Sequence, residues 1–387
     1  MARPLRTRLE VFAVEDHEIQ VVWRGVPDGS WQLVATHDGR PVASHRIEGR
    51  SPVGAALLGG LPASSSVILD LVSDDGVVAA RSAATTLDKL PGDELFRFAT
   101  VNDVHIGASH FGTLRPFEEA EGTDPDFSIR CLRSALAQAR QFGAEMVVGK
   151  GDLTHNGLAE EWETLARELA RGGLPTITTL GNHDVKDGAV DGTAALGDAG
   201  IDMVGEIEVV DRPGIRIIVV NTSVPGINWG RIAHVADDVC TAAAEADTSV
   251  IVAMHHQPQR FRIPAFWPPG ITGPEARPFL DQLDRAAPGT VVTTGHSHRH
   301  RRHHHGSITI SEVGSTRDYP GTWAGYVVHE SGIRQTVHRV AAADAISWTD
   351  PTRRVLLGVW GMWSPGLESH RSYVVRRGVP VDRLHEA

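Results

Sequence analysis

Apolar and polar positions along the chain fall into two textures. From about residue 8 to residue 88 the apolar runs are short and partly alternate, as in Leu9-Glu10-Val11-Phe12-Ala13-Val14 and Ile19-Gln20-Val21-Val22-Trp23. Alternation with period two marks half-buried strands. Asp38-Gly39 and Asp75-Gly76 are hairpin signals between such runs, and no helical pattern of useful length interrupts them. This predicts a small antiparallel β-sandwich over residues 1–90. The stretch from Asp88 to Glu94, with Pro91-Gly92, reads as the linker that follows it.

From Phe96 onward strands and helices alternate. The strand-like runs are Phe96–Val101, Met146–Val148, Thr176–Leu180, Ile215–Val220, Val250–Met254 and Val291–Thr294. Between Ser128 and Phe142 the residues Leu132, Ala135, Leu136 and Ala139 share one helical face, with Gly143 suited to the C-terminal cap. Leu158, Trp162, Leu165 and Leu169 repeat the pattern, Glu160, Glu161 and Glu163 favour its N-terminal dipole, and Gly172 follows. Such alternation predicts a layered α/β domain over residues 95–340 whose strand-end loops carry the site. Strand-like text returns at Ile308-Thr309-Ile310, Tyr326-Val327-Val328 and Thr336-Val337, with a hairpin at Gly332. Residues 341–387, with Trp348, Trp360 and Trp363, form a C-terminal extension expected to pack on the outside of one domain.

Composition narrows the function classes. At 387 residues, 41% hydrophobic and 22% charged, the chain has the makeup of an ordinary globular protein with room for two domains. A formal net charge of −11 disfavours a nucleic-acid polymer as partner, which calls for a basic footprint. The two cysteines, Cys131 and Cys240, make no disulfide framework or metal motif and suit a reducing compartment. No apolar run approaches the roughly 20 residues of a membrane span, and no secretory signal opens the chain. A cytoplasmic location is the expectation.

Five polar blocks follow strand-like runs: Asp103-Val104-His105, Gly151-Asp152-Leu153-Thr154-His155, Gly181-Asn182-His183-Asp184, His255-His256 and Gly295-His296-Ser297-His298. They place carboxylate, amide and imidazole groups on one rim of a sheet. Aspartate and histidine together suit borderline divalent ions such as Mn, Fe, Zn or Co, whereas Mg and Ca prefer oxygen alone. Two such ions about 3.5–4 Å apart clamp phosphorus for in-line displacement. Their repulsion demands an anionic bridge, and Asp152 is the candidate. Two dications set against Asp103, Asp152 and one hydroxide leave about one net positive charge, which suits a phosphodiester and tolerates a monoester.

In this order and setting the five blocks resemble the calcineurin-like metallophosphoesterase superfamily, over roughly Phe96 to Val340. The resemblance implies a four-layer α/β/β/α domain and two divalent metal ions. It assigns Asp103, His105 and His298 to one ion, Asn182, His255 and His296 to the other, and Asp152 to both. His255 is preferred to His256 because the family places its ligand at the first histidine of that block. A metal-bound hydroxide would attack phosphorus, His183 would stabilise the transition state or protonate the leaving oxygen, and Asp184 would orient His183. The Gly-Asp-Leu-Thr-His-Asn-Gly block is similar to that of bacterial cyclic-nucleotide and glycerophosphodiester phosphodiesterases. The sandwich resembles the fibronectin-III-like domain that precedes the catalytic domain of purple acid phosphatases, on Trp23 and the Leu61-Pro62 turn before Val67-Ile68-Leu69. Those enzymes carry a tyrosine three residues after the bridging aspartate, where this chain has His155, so tyrosinate–iron chemistry is not expected.

The leading expectation is therefore hydrolysis of a small-molecule phosphodiester. A phosphomonoesterase or pyrophosphohydrolase with the same site is the alternative, and a nuclease or a non-catalytic binding module stands behind both. His155 and His256 are expected as neighbours of ligands. His300 and His303 to His305 are expected in a solvated loop. Phe261, Phe266 and Trp267 suit stacking on a nucleobase and an interdomain contact equally. The segments Ile106 to Phe127 and Gln257 to Glu275 are the expected rims of the pocket.

Overall fold

The computed structural model describes residues 7–47, 52–112, 116–120, 122–260 and 268–378. In the N-terminal sandwich, Arg8–Val14, Glu18–Arg24 and Val53–Gly59 form one antiparallel sheet. The other has the order Arg40–Ile47, Trp31–His37, Ser66–Ser73, Val78–Thr85. Val14, Ile19, Val21, Trp23, Leu33, Val67, Leu69 and Leu71 fill the space between the two. At the first hairpin Asp38 and Gly39 both take positive φ (49° and 73°), the geometry of a two-residue turn that matches strand twist.

The expected alternation fails in the first sheet, where Val11 to Val14 and Ile19 to Trp23 are all buried. Both of its faces are covered, so period two is lost. Phe12, Ala13 and Val22 make a second small cluster on the face away from the sandwich core. On that side Gln20 donates to the Arg339 carbonyl (2.8 Å) and accepts from its amide (2.7 Å). Arg371 donates to the Phe12 carbonyl (2.8 Å). The sandwich is thereby stitched to strands of the larger unit.

That unit has two sheets face to face. One has seven strands in the spatial order Asp202–Met203, Thr176–Thr179, Val147–Lys150, Glu94–Val101, Thr322–His329, Gly332–Arg339, Ser372–Arg376. The other has six, in the order Ile207–Arg212, Ile215–Val220, Ser249–Met254, Val291–Thr294, Ile308–Glu312, Arg301–His305. Phe98, Val148, Ile217, Val219, Ile251, Ala253 and Tyr326 pack between them. Helices Phe127–Gln141 and Ala159–Gly172 cover the outer face of the first sheet through Leu132, Leu136, Trp162 and Leu165. Helices Ala236–Ala244 and Gly273–Ala286 cover the second through Val239, Phe279 and Leu283. The layering is α/β/β/α, as expected.

Three details differ from expectation. Leu158 is the extended N-cap of its helix and 39% exposed, so the buried stripe begins at Trp162; the left-handed cap residue is Gly173, one position after Gly172. The run from Arg301 to His305 is no solvated loop. It is an edge strand paired antiparallel with Ile308–Glu312, and it buries His303 while His300 is buried just before it. The stretch after Ala341 is woven into the unit. Helix Ala343–Thr352 stacks Trp348 on Phe127 with ring centroids 3.8 Å apart, and Ser372–Arg376 is the edge strand beside Gly332–Arg339. Among the described residues no helix is long and apolar enough to cross a membrane.

Candidate active site

Strands Glu94–Val101, Val147–Lys150 and Thr176–Thr179 run parallel, as do Ile215–Val220, Ser249–Met254 and Val291–Thr294. Their carboxyl ends therefore deliver their loops to common rims, the usual place for a site in an open α/β sheet. Asp103, Asp152, Asn182, His255, His296 and His298 lie in those loops. The backbone there is unusual. Nine described non-glycine residues have positive φ, and five of them are Asp103, His105, Asp152, His296 and His298 (50° to 65°). Left-handed backbone costs about 1–2 kcal/mol per residue with a Cβ and gathers at functional sites. Two motif glycines serve close approach. A Cβ on Gly181 would lie 2.2 Å from the Asp152 amide nitrogen, and one on Gly295 would lie 2.7 Å from Asp103 Oδ2.

The side chains converge. Asp152 Oδ2 lies 3.6 Å from His105 Nε2 and 3.4 Å from His255 Nε2, while Oδ1 accepts from the His183 amide at 2.7 Å. Asp103 Oδ1 lies 3.2 Å from His298 Nε2, and Oδ2 accepts from the His296 amide at 3.0 Å. Ligand-type atoms of Asp103, His105 and His298 lie within 4.8 Å of one another, as do those of Asp103, Asp152 and His255 and those of His255, His256 and His296. The far nitrogens are tied back: His255 Nδ1 to the Lys150 carbonyl (2.8 Å), and His298 Nδ1 to Asp318 Oδ1 (2.6 Å). Such outer partners set the tautomer and leave Nε2 toward the centre.

Four inward atoms are buried without a hydrogen-bond partner among the described residues: Asp103 Oδ1, His105 Nε2, Asn182 Oδ1 and His255 Nε2. Unpaired buried polar atoms are expensive, and together these match the donor set of a cation site. Electrostatics agree. Burial raises the Asp152 carboxyl, but the charges of His255 and His183 outweigh it and hold the group well below the carboxylate range. Burial lowers His255, yet Asp152 brings it up to about 9. Burial likewise lowers His298, yet Asp318 and Asp103 bring it up to about 10. Only these two imidazoles of the site gain positive charge, whereas burial lowers His105 and brings His296 down to about 3.

His183 is half-buried, edge-on to His105 at 4.4 Å, with Nδ1 3.0 Å from the His155 carbonyl. The expectation that Asp184 orients this imidazole does not hold. The Asp184 carboxylate faces the other way, accepting from the Thr154 amide (2.7 Å), the Thr154 hydroxyl (2.6 Å), the Gly181 amide (2.8 Å) and the Leu153 amide (3.3 Å). A backbone carbonyl, not a carboxylate, holds His183. Burial and the Asp152 charge push Asp184 up to about 6.

His155 Nδ1 is 3.5 Å from His105 Nδ1, and His256 is fully buried with Nδ1 2.9 Å from the Thr222 hydroxyl. Phe111, in the expected rim, lies nearly parallel to the His298 ring at 6.2 Å. Phe261, Phe266 and Trp267 lie outside the described residues. The sequence reading missed Arg317, Asp318 and Trp360, whose indole donates to Asp318 Oδ2 at 3.1 Å.

Comparison with known proteins bears on this geometry. A search of curated protein sequences finds no match. Among solved structures the chain is similar to PhoD, at 9% identity over 85% of each chain with a TM-score of 0.43. It is similar to TT1561 of Thermus thermophilus, at 13% identity over 64% of this chain and 99% of that one, TM-score 0.43. It is also similar to GAP50 of Plasmodium, described as the anchor in the inner membrane complex, at 11% identity over 64% of this chain and 89% of that one, TM-score 0.44. The family model for calcineurin-like phosphoesterases matches residues 96–300, more than half of the sequence and all five polar blocks. The chain belongs to the calcineurin-like phosphoesterase family.

Proposed function

We propose that the protein hydrolyses a small-molecule phosphodiester at a two-metal centre. The observation that carries this is Asp152 Oδ2 standing between His105 Nε2 (3.6 Å) and His255 Nε2 (3.4 Å), with both nitrogens buried and without a hydrogen-bond partner among the described residues. One carboxylate oxygen between two imidazoles is the arrangement a bridging ligand needs. Asp103, His105 and His298 would complete one ion's donors, and Asn182, His255 and His296 the other's. A bound pair of divalent ions, Mn, Fe, Zn or Co, supplies charge neutralisation at the phosphoryl oxygens and activates water at neutral pH.

The chain's own groups do the rest. With Nδ1 committed to the His155 carbonyl, His183 presents Nε2 as its working atom, able to hydrogen-bond charge developing on phosphorus or to carry a proton to the leaving oxygen. The Asp318 carboxylate and the Lys150 carbonyl hold His298 and His255 in register. Phosphomonoester or pyrophosphate hydrolysis is the second reading, since the charge balance tolerates a dianion. The buried, unpaired thiols of Cys131 and Cys240 suit the reducing, cytoplasmic setting we propose.

Steady-state assays with bis(p-nitrophenyl) phosphate and p-nitrophenyl phosphate, after loading with each metal, test the reading. Turnover favouring the diester is expected, together with loss of metal from Asp152→Asn. No turnover on either substrate with any of the four metals would remove the proposal.

A further inference from the structure

Arg317 is an unusual group to find beside such a centre. It lies between strands Ile308–Glu312 and Thr322–His329, and its backbone is pinned on both sides. Its amide donates to Ser315 Oγ (3.1 Å), Ser315 in turn donates to the Asp103 carbonyl (2.9 Å), and the Arg317 carbonyl accepts from Trp348 Nε1 (2.8 Å). The residue is only 6% exposed, with its guanidinium 5.7 Å from the centre of the Phe111 ring. Phe111 in turn lies along the His298 ring.

The guanidinium sits in the field of the site. Its charge depresses His105, His155 and His183, after the larger effect of burial, and Asp103, Asp152 and Asp318 act back on it. Yet Nε and Nη1 have no hydrogen-bond partner among the described residues. Two buried guanidinium donors without acceptors are strongly unfavourable unless a ligand completes them. Planar guanidinium donors match the oxygens of a phosphate in pairs.

We propose that Arg317 binds the substrate's phosphate directly, Nε or Nη1 donating to a non-bridging oxygen. This rests on the phosphoesterase reading above. It adds a charge to that site that the metal donors do not provide, and it makes Arg317 a catalytic residue.

The test is calorimetric titration of inorganic phosphate into metal-loaded wild type, Arg317→Ala and Arg317→Lys, with metal content and melting temperature recorded for each. Loss of charge-assisted bonds predicts phosphate binding about 10–100-fold weaker in Arg317→Ala, with metal content unchanged. Arg317→Lys, which keeps the charge but loses the fork, should fall between the two. Wild-type affinity in a folded, metal-replete Arg317→Ala overturns the proposal. If that variant does not fold, wild-type affinity in Arg317→Lys overturns it. Should the wild type hydrolyse no phosphoester at all, the activity reading fails while the phosphate titration still decides the role of Arg317.

Discussion

Replacing Asp184 with alanine separates two roles that the sequence alone runs together. In the structure this carboxylate staples the loop carrying Asp152 to the loop carrying Asn182 and His183. It accepts from the Thr154 amide at 2.7 Å, the Gly181 amide at 2.8 Å and the Thr154 hydroxyl at 2.6 Å, all buried. In Asp184→Ala the hydroxyl can rotate to another acceptor, but the Thr154 and Gly181 amides cannot, and the longer bond from the Leu153 amide (3.3 Å) adds little to their loss. At about 1–3 kcal/mol for each buried donor left unpaired, the loss is roughly 2–6 kcal/mol. Removing the repulsion between Asp184 and Asp152 offsets part of it. Against a total stability of about 5–15 kcal/mol, even the lower end is large.

Asp184→Asn keeps the shape and one carbonyl oxygen but turns an amide NH₂ toward a backbone donor, so its cost should be intermediate. It should also erase a pH term. The folded pKa, about 6, lies above the ordinary 3.8, so the stability linked to protonated Asp184 is full below about 3.8 and lost as pH rises through 6. The assay is denaturant unfolding of metal-free protein from pH 4 to 8, with the His183 ring followed by NMR. The expected result is a lowered midpoint in Asp184→Ala and an unmoved His183 titration. A wild-type midpoint with a shifted His183 titration would refute the staple and restore the carboxylate–imidazole pair.

Two further predictions follow from the groups around the imidazoles. Asp318→Asn should weaken metal binding about 10–100-fold and lower the melting temperature of the metal-free protein, because Asp318 holds protonated His298 through Nδ1 at 2.6 Å. Unchanged affinity in a chelator competition would disprove that. His255 and His298 are raised from 6.5 to about 9 and about 10 in the metal-free protein. The stability they contribute is therefore full below about 6.5 and lost as pH rises through 9 to 10. Metal-free melting temperature should fall over that window, and metal uptake at pH 7.5 should release protons. A flat melting profile, or heats independent of buffer ionisation enthalpy, would count against it.

Much of the site was legible because each donor follows an apolar run, and a buried strand must give out into a loop where its run ends. What local pattern could not reveal was the outer ring. Asp318 lies 20 residues beyond its partner His298, and Trp360 lies 42 residues beyond Asp318, so no spacing links them. Asp184 follows His183 directly, and adjacency suggested contact. The chain turns there, and the carboxylate reaches back to Thr154 instead. Helix Gly273–Ala286 opens on Gly273 and Pro274 and contains Pro278, residues that interrupt a helical pattern, although Ala276, Phe279, Leu280 and Leu283 form its buried face. The His303-His304-His305 run looked solvated, yet an edge strand needs only backbone pairing to form. Two-sided burial explains why the strand runs at Leu9–Val14 and Ile19–Trp23 alternate only in part.

The left-handed backbone of Asp103, His105, Asp152, His296 and His298 needs its own physical account. At about 1–2 kcal/mol each, five such residues would impose roughly 5–10 kcal/mol, comparable to the stability of a whole domain. Strain of that size persists only where neighbouring contacts overdetermine it. Here the strained loops hydrogen-bond to one another. The Asp103 amide donates to the Gly151 carbonyl (3.0 Å), His105 to Asp152 (3.0 Å), Ile106 to Leu153 (2.9 Å), and His155 back to Ile106 (2.9 Å). The Gly295 amide donates to the His255 carbonyl at 2.9 Å, tying the last two blocks together in the same way. Each loop is thus held by the loop that carries the next donor, and none can relax alone. The strain is therefore carried by contacts between the loops themselves.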